Sequence, residues 1–168
     1  TENQFAYTIN GSCVDANTPV TVLISGLPSK TAVCADGSWQ ATFDVSPIAD
    51  GTGVIVADAN DSSGSAVQKN ADKDTTGPAL TLNSLTAANA TNQASYNVTG
   101  MCESAGTEVS VYIPGATPER QRVTCNAGMW TATTNVTAIA DGTDVIAVFV
   151  EQTDLSGNNS AVDDEANK

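Results

Sequence analysis

The sequence predicts an all-β chain of two tandem sandwiches, and three observations predict it. Stretches rich in Val, Ile, Thr and Tyr alternate apolar with polar residues, and Gly, Asp, Asn or Pro clusters punctuate them every ~8 to 12 residues. No segment carries a helical period of about 3.6 residues. The chain also repeats itself: Tyr7-Thr-Ile-Asn-Gly-Ser-Cys13 matches Tyr96-Asn-Val-Thr-Gly-Met-Cys102, Cys34-Ala-Asp-Gly-Ser-Trp39 matches Cys125-Asn-Ala-Gly-Met-Trp130, and Ile48-Ala-Asp-Gly-Thr52 matches Ile139-Ala-Asp-Gly-Thr143. The offset grows from 89 to 91 residues between these blocks and reaches 95 at Ser65-Ala-Val67 against Ser160-Ala-Val162, so the insertions fall where loops belong.

In the second copy the pattern predicts strands near 79–85, 95–100, 107–113, 121–125, 129–135, 143–151 and 159–163. Val109, Val111 and Ile113 form one apolar parity, and Val145-Ile-Ala-Val-Phe-Val150 is a nearly continuous apolar run suited to a central strand. Seven short strands per repeat fit an immunoglobulin-like sandwich of two antiparallel sheets. The expected modules are 1–73 and 74–168, joined by the polar stretch Gln68 to Pro78, which reads as a linker. Thr1 aligns with about residue 90, so the first module lacks any counterpart of Asp74 to Asn89, its opening strand included. A preceding segment or a neighbouring chain is expected to complete it.

Each copy holds two cysteines, and duplication selects one of the three possible connectivities: Cys13 with Cys34 and Cys102 with Cys125. Both partners fall at the same end of the predicted sandwich. A zinc site would need all four thiolates from two modules, without any His in the chain. Paired disulfides imply an oxidising compartment, hence an extracellular or cell-surface location. Trp39 and Trp130 each open a strand after a Gly-containing turn; core packing is the expected role, with a carbohydrate-stacking platform as the alternative.

A net charge of −13 with only six Lys and Arg argues against nucleic acid and anionic membranes and makes cations the natural partners. No apolar run is long enough for a transmembrane helix, so direct membrane insertion is not expected. Without His there is no Ser-His-Asp triad, and neither a phosphate loop nor a dinucleotide fingerprint is present. The expected function is non-enzymatic. Lys30, Lys69, Lys73 and Lys168 all fall in expected loops or linkers, which disfavours a buried lysine beside an acid. Asn-x-Ser/Thr triplets begin at Asn10, Asn60, Asn89, Asn97, Asn135 and Asn158, a weak glycosylation signal in so Asn- and Thr-rich a chain.

The order Asp74-Thr-Thr-Gly-Pro78, Val98-Thr-Gly100, Gly106-Thr-Glu-Val-Ser-Val111, Gly128-Met-Trp130, Ala140-Asp-Gly-Thr143 and Asp154-Leu-Ser-Gly-Asn158 resembles the bacterial Ig-like repeats of large secreted adhesins and biofilm surface proteins. The resemblance covers the whole chain. It implies extracellular modules strung end to end that project an adhesive domain, with calcium stiffening the junctions. Family repeats usually lack cysteine, and in the first copy the last motif reads Asp61-Ser-Ser-Gly-Ser65. Calcium takes six to eight oxygen ligands; the candidates are Asp50, Asp72, Asp74 and Asp154, joined by Glu103, although the same acids suit solvated turns. The expected partners are neighbouring repeats or copies of the same protein, and host or matrix glycans. The leading expectation is a spacer or stalk segment of a surface adhesin or matrix fibre. The alternatives are a subunit of a polymerising filament completed by strand donation, and a carbohydrate- or protein-binding module.

Overall fold

The computed structural model describes residues 4–61, 66–103 and 107–168. The chain divides into two compact units, Thr1–Thr75 and Thr76–Lys168. Among the described residues each unit is all-β apart from one short 3-10 turn, Gln4–Ala6 in the first and Gln93–Ser95 in the second.

In the first unit the strands are β1 (Tyr7–Ser12), β2 (Pro19–Ile24), β3 (Lys30–Val33), β4 (Ser38–Phe43), β5 (Gly51–Asp61) and β6 (Ala66–Lys73). β1 pairs with β4, and the opposing sheet runs β3-β2-β5-β6, all antiparallel. The second unit repeats this with β7 (Tyr96–Met101), β8 (Glu108–Tyr112), β9 (Arg120–Thr124), β10 (Met129–Thr134), β11 (Ile146–Thr153) and β12 (Asn159–Ala166). There β7 pairs with β10 opposite the sheet β9-β8-β11-β12. Period-2 alternation turns Val20, Val22 and Ile24 inward in one module and Val109, Val111 and Ile113 inward in the other. Each module closes around its own core, with Trp39 in the first and Trp130 in the second. Both tryptophans are core residues, as the sequence led us to expect.

Three expectations need correction. Gln68 to Lys73 is not linker: it belongs to β6 and pairs in register with β5. An edge strand covered on one side only tolerates polar side chains, and charge there blunts edge-to-edge association. Next, 79–85 is extended but not a regular strand. Thr81 and Asn83 donate their N–H groups to Met101 O (3.0 Å) and Thr99 O (2.9 Å) of β7. The return bonds of a ladder are diverted to side chains, because Met101 N–H goes to Thr81 Oγ1 (2.9 Å) and the Thr81 carbonyl accepts from Trp130 Nε1 (3.2 Å). Finally, the lysines are not confined to loops: Lys30 opens β3, Lys69 and Lys73 lie in β6, and the side chains of Lys73 and Lys168 are only 8% and 6% exposed.

Candidate functional site

The repeated sequence blocks become three local devices, present in both modules. The Cys-x-x-Gly-x-Trp block builds a tight turn. In Ala35–Ser38 the two end residues exchange backbone hydrogen bonds of 2.8 and 2.9 Å, and in Asn126–Met129 of 2.8 and 3.0 Å. Both central residues have positive φ, 50° and 77° at Asp36 and Gly37, 51° and 80° at Ala127 and Gly128, the signature of a type I′ turn that glycine makes accessible. The glycine carbonyl then accepts from the first cysteine's N–H, Cys13 to Gly37 and Cys102 to Gly128, both at 3.0 Å. This sets each cysteine beside its partner. Disulfides join Cys13 to Cys34 and Cys102 to Cys125, with Cα separations of 5.9 and 6.0 Å.

The second device explains the Ile-Ala-Asp-Gly-Thr block. Lys73 donates to Ile48 O (2.5 Å) and pairs with Asp50 (3.3 Å). Lys168 donates to Ile139 O and Thr137 O (3.0 Å) and pairs with Asp141 (3.6 Å). The backbones of Gly142 and Lys168 bond reciprocally, and Gly51 is the register partner of Lys73. Each lysine therefore clamps the loop before β5 or β11 to the end of its module. An ammonium group offers three donors, and a carbonyl with a carboxylate satisfies a buried one well. The third device is an Asx turn after β4 and β10: Asp44 Oδ1 accepts from Ser46 N (2.9 Å) and Asn135 Oδ1 from Thr137 N (2.8 Å).

Of the candidate calcium ligands, Asp50, Asp72 and Asp154 have partners within their own module, and so does Glu103. Asp50, besides its lysine, accepts from Thr75 N (2.9 Å) and Thr75 Oγ1 (2.8 Å). Asp72 accepts from Gly53 N (2.7 Å), Glu103 from Ala79 N (2.6 Å), and Asp154 from Asn158 N (2.8 Å) and Nδ2 (3.1 Å). Desolvation alone would raise the Asp154 carboxyl. The hydrogen bonds from Asn158, Ser156 and Gly157 together outweigh it and hold Asp154 below the usual carboxylate range. Asp74 also has an interaction of its own. Among the described residues no three acids gather into a group able to hold a metal ion. The carboxylates present are fitted to N–H and ammonium donors, and no ligand set is assigned.

Two features escaped the sequence reading. Gln152, 2% exposed, donates to Glu103 O and Thr107 Oγ1 (both 2.7 Å) and accepts from Glu103 N (3.2 Å), pinning a loop to β11. Its register counterpart in the first module is Asp61, since Asp61 lies opposite Val20 on β2 and Gln152 opposite Val109 on β8. The motif beginning at Asp61 is thus not the structural equivalent of Asp154 to Asn158; its residues 62–65, like Gly106 at the head of the Gly106 to Val111 motif, lie outside the described residues. On the outer face of the second module, Tyr112 and Phe149 stack at 5.9 Å, with the Arg120 guanidinium 4.0 Å from the Tyr112 ring. Outward parity on paired strands was the available signal.

No protein-family model matches the sequence, and no curated protein matches it by sequence. Solved structures do match. One is from a Ca2+-stabilized adhesin with which an Antarctic bacterium reaches out and binds ice: 22% identity, 98% of this chain and 44% of that chain, TM-score 0.54. Another is from a 1.5-MDa bacterial ice-binding adhesin: 22% identity, 96% of this chain and 56% of that one, TM-score 0.53. A third, a tetra-tandem repeat in the extending region of a large adhesion protein, aligns at 19% identity over 98% and 46% of the two chains, TM-score 0.42. The chain spans about half the length of the structures it matches. The two neighbours with TM-scores above 0.5 are bacterial adhesins, and at these identities the likeness is one of fold.

Proposed function

We propose that this chain is a non-enzymatic segment of an extracellular adhesin or matrix fibre, acting as a spacer that holds a binding domain away from the surface. The observation that supports it is fold likeness over nearly the whole chain to two adhesins, with TM-scores of 0.54 and 0.53, carried by two modules in series. A disulfide in each module suits an oxidising exterior. Protease treatment of intact producing cells tests the location: peptides of this chain should be released from the outside. Recovery only from the cell interior, with four alkylatable thiols, overturns the reading.

Calcium is proposed for the chain as a whole, on its likeness to the Ca2+-stabilized adhesin, without assigned ligands. Calcium that binds only the folded state raises its stability by mass action. Melting temperature and amide chemical shifts should move between excess chelator and millimolar calcium; identical values in both remove the ion from the account.

A further inference from the structure

We propose that the outer face of the sheet β9-β8-β11-β12 is a glycan-binding platform, and that its ligand is a neutral, hydroxyl-rich polysaccharide stacked on Tyr112 and Phe149. The strand registers build this face row by row. Arg120 lies opposite Tyr112, Tyr112 opposite Phe149 and Phe149 opposite Asp163, so one row crosses all four strands. The neighbouring row on the same face is Arg122, Ser110, Glu151 and Ala161. Period-2 alternation turns both rows away from the core, to which Val109, Val111, Val148 and Val150 belong. Phe149 is 43% exposed; its ring lies 5.9 Å from that of Tyr112, which carries the Arg120 guanidinium 4.0 Å from its centre. A recess of about 250 Å³ beside the rings is lined by these three residues with Ser110 and Glu151. A second, of about 430 Å³, shares Ser110 and Glu151 and is lined further by Glu108, Arg122, Thr153 and Asn159.

A sugar ring presents C–H groups on its faces and hydroxyls around its rim, and each hydroxyl both donates and accepts. The platform matches both parts: aromatic rings for the faces, guanidinium donors and a carboxylate acceptor for the rim. Charge selects among sugars. Both of the chain's arginines, Arg120 and Arg122, stand on this face, but Glu108, Glu151 and Asp163 stand there with them, in a chain of net charge −13. An anionic polymer therefore meets no positive field, whereas a neutral one finds donors and acceptors side by side. A stacked cross-strand pair also steadies a sheet by itself. The first module shows that the fold does not require this one. At the matching register of β2 with β5, Leu23 stands for Tyr112 and Asp58 for Phe149, with Thr21 and Asn60 for Ser110 and Glu151. The platform is thus an addition to one of two modules that share turn, disulfide and clamp.

This inference goes beyond the spacer reading and does not depend on it. The test titrates the intact chain with neutral hexasaccharides of glucose, mannose and galactose, and with hexagalacturonate as the anionic comparison. Saturable binding of a neutral hexasaccharide is expected, moving the amides of Ser110, Tyr112 and Glu151 and leaving those of Thr21 and Leu23 still. Phe149→Leu keeps an apolar side chain but removes the ring, so it should weaken binding about tenfold and leave the melting temperature nearly unchanged. Glu151→Gln removes a charged acceptor and should weaken it about fivefold. Leu23→Ala, at the matching place in the first module, should leave binding as it was. Absence of saturable binding by every neutral hexasaccharide, tighter binding of hexagalacturonate, or undiminished binding by Phe149→Leu overturns the proposal. Movement of the same amides with protein concentration alone, without an effect of sugar, gives the face to a second copy of the chain and overturns it too.

Discussion

The second module buries the whole inward side of β7, whereas the first leaves the matching side of β1 half-buried, although both strands keep the same register with their partners. Among the described residues, seventeen form the buried core of the second module and nine that of the first. The opening segment of the second module, 79–85, is therefore not what sets the topology. Turn, disulfide and lysine clamp are present in both modules and suffice to align the strands. The segment decides how much apolar surface leaves water, and at about 25 cal/mol per Å² that separates a well-protected module from a marginal one.

The tryptophans give the largest expected effect. Trp130 is 1% exposed and its N–H is bonded; Trp39 is 9% exposed. Trp130→Ala should cost the second module about 3–5 kcal/mol, and Trp39→Ala should fall at or below the lower end of that range. Tyrosine and tryptophan near-ultraviolet signals, followed by heating each single variant, report the two modules separately. Equal losses would break the contrast between closed and open cores.

Disulfide removal comes next, at about 3 kcal/mol per loop of this size. Because the first module has the smaller core, Cys13→Ser with Cys34→Ser should abolish its cooperative melting. Cys102→Ser with Cys125→Ser should lower the melting temperature of the second module and leave its transition intact. The reverse order would show that edge cover contributes little to stability.

The clamps should behave alike. Lys73→Met leaves one carbonyl and a carboxylate without their ammonium, and Lys168→Met two carbonyls and a carboxylate, which costs about 1–3 kcal/mol in each case. Similar losses in the two modules, measured by denaturant unfolding, would show that the clamp acts independently of the opening segment. A much larger loss in the first module would tie the clamp to the half-buried side of β1.

How much of this was legible depended on whether a residue's partner lay in the same repeated block. Cys34, Gly37 and Trp39 recur with fixed spacing and Cys13 recurs before them, 21 residues from its partner where the second copy has 23, so duplication exposed both the pairing and the turn that arranges it. Lys73 and Lys168 recur too, but their partners Asp50 and Asp141 lie more than twenty residues away, and nothing local distinguishes a clamping lysine from a solvated one. Gln68 to Lys73 reads as linker because an edge strand can be polar along most of its length. The Asp61 motif misled by similarity alone. Ala59 pairs with Val67 but Val150 with Val162, so four fewer residues separate the paired positions in the first module, and similarity across that stretch aligns residues that are not equivalent. The acids were easy to enumerate, yet the N–H groups that engage them come from the folded backbone, which composition does not reveal.

The smallest expected effect concerns the one device the modules build with different chemistry. After β4 the turn is capped by the titratable Asp44, and after β10 by the neutral Asn135. The Ser46 side chain and N–H hold the Asp44 carboxyl below the usual carboxylate range, against a weaker desolvation. A folded-state value below the unfolded one means that the folded state favours the charged carboxylate. Its stabilisation is then complete above the unfolded value and is lost as pH falls through the lowered folded value. Acid should weaken this turn in the first module and spare its counterpart in the second. Asp44→Asn converts one cap into the other, so it should flatten the acid limb of the first module's melting profile and leave neutral stability nearly unchanged. Because Asp44 is exposed, the change should be small, best read from amide shifts of Ser46 and Thr137 across an acid titration. Ser46 should titrate in the parent and stop titrating in the variant, while Thr137 stays flat in both. A Ser46 profile unaltered by the substitution would mean that the two caps are equivalent in acid.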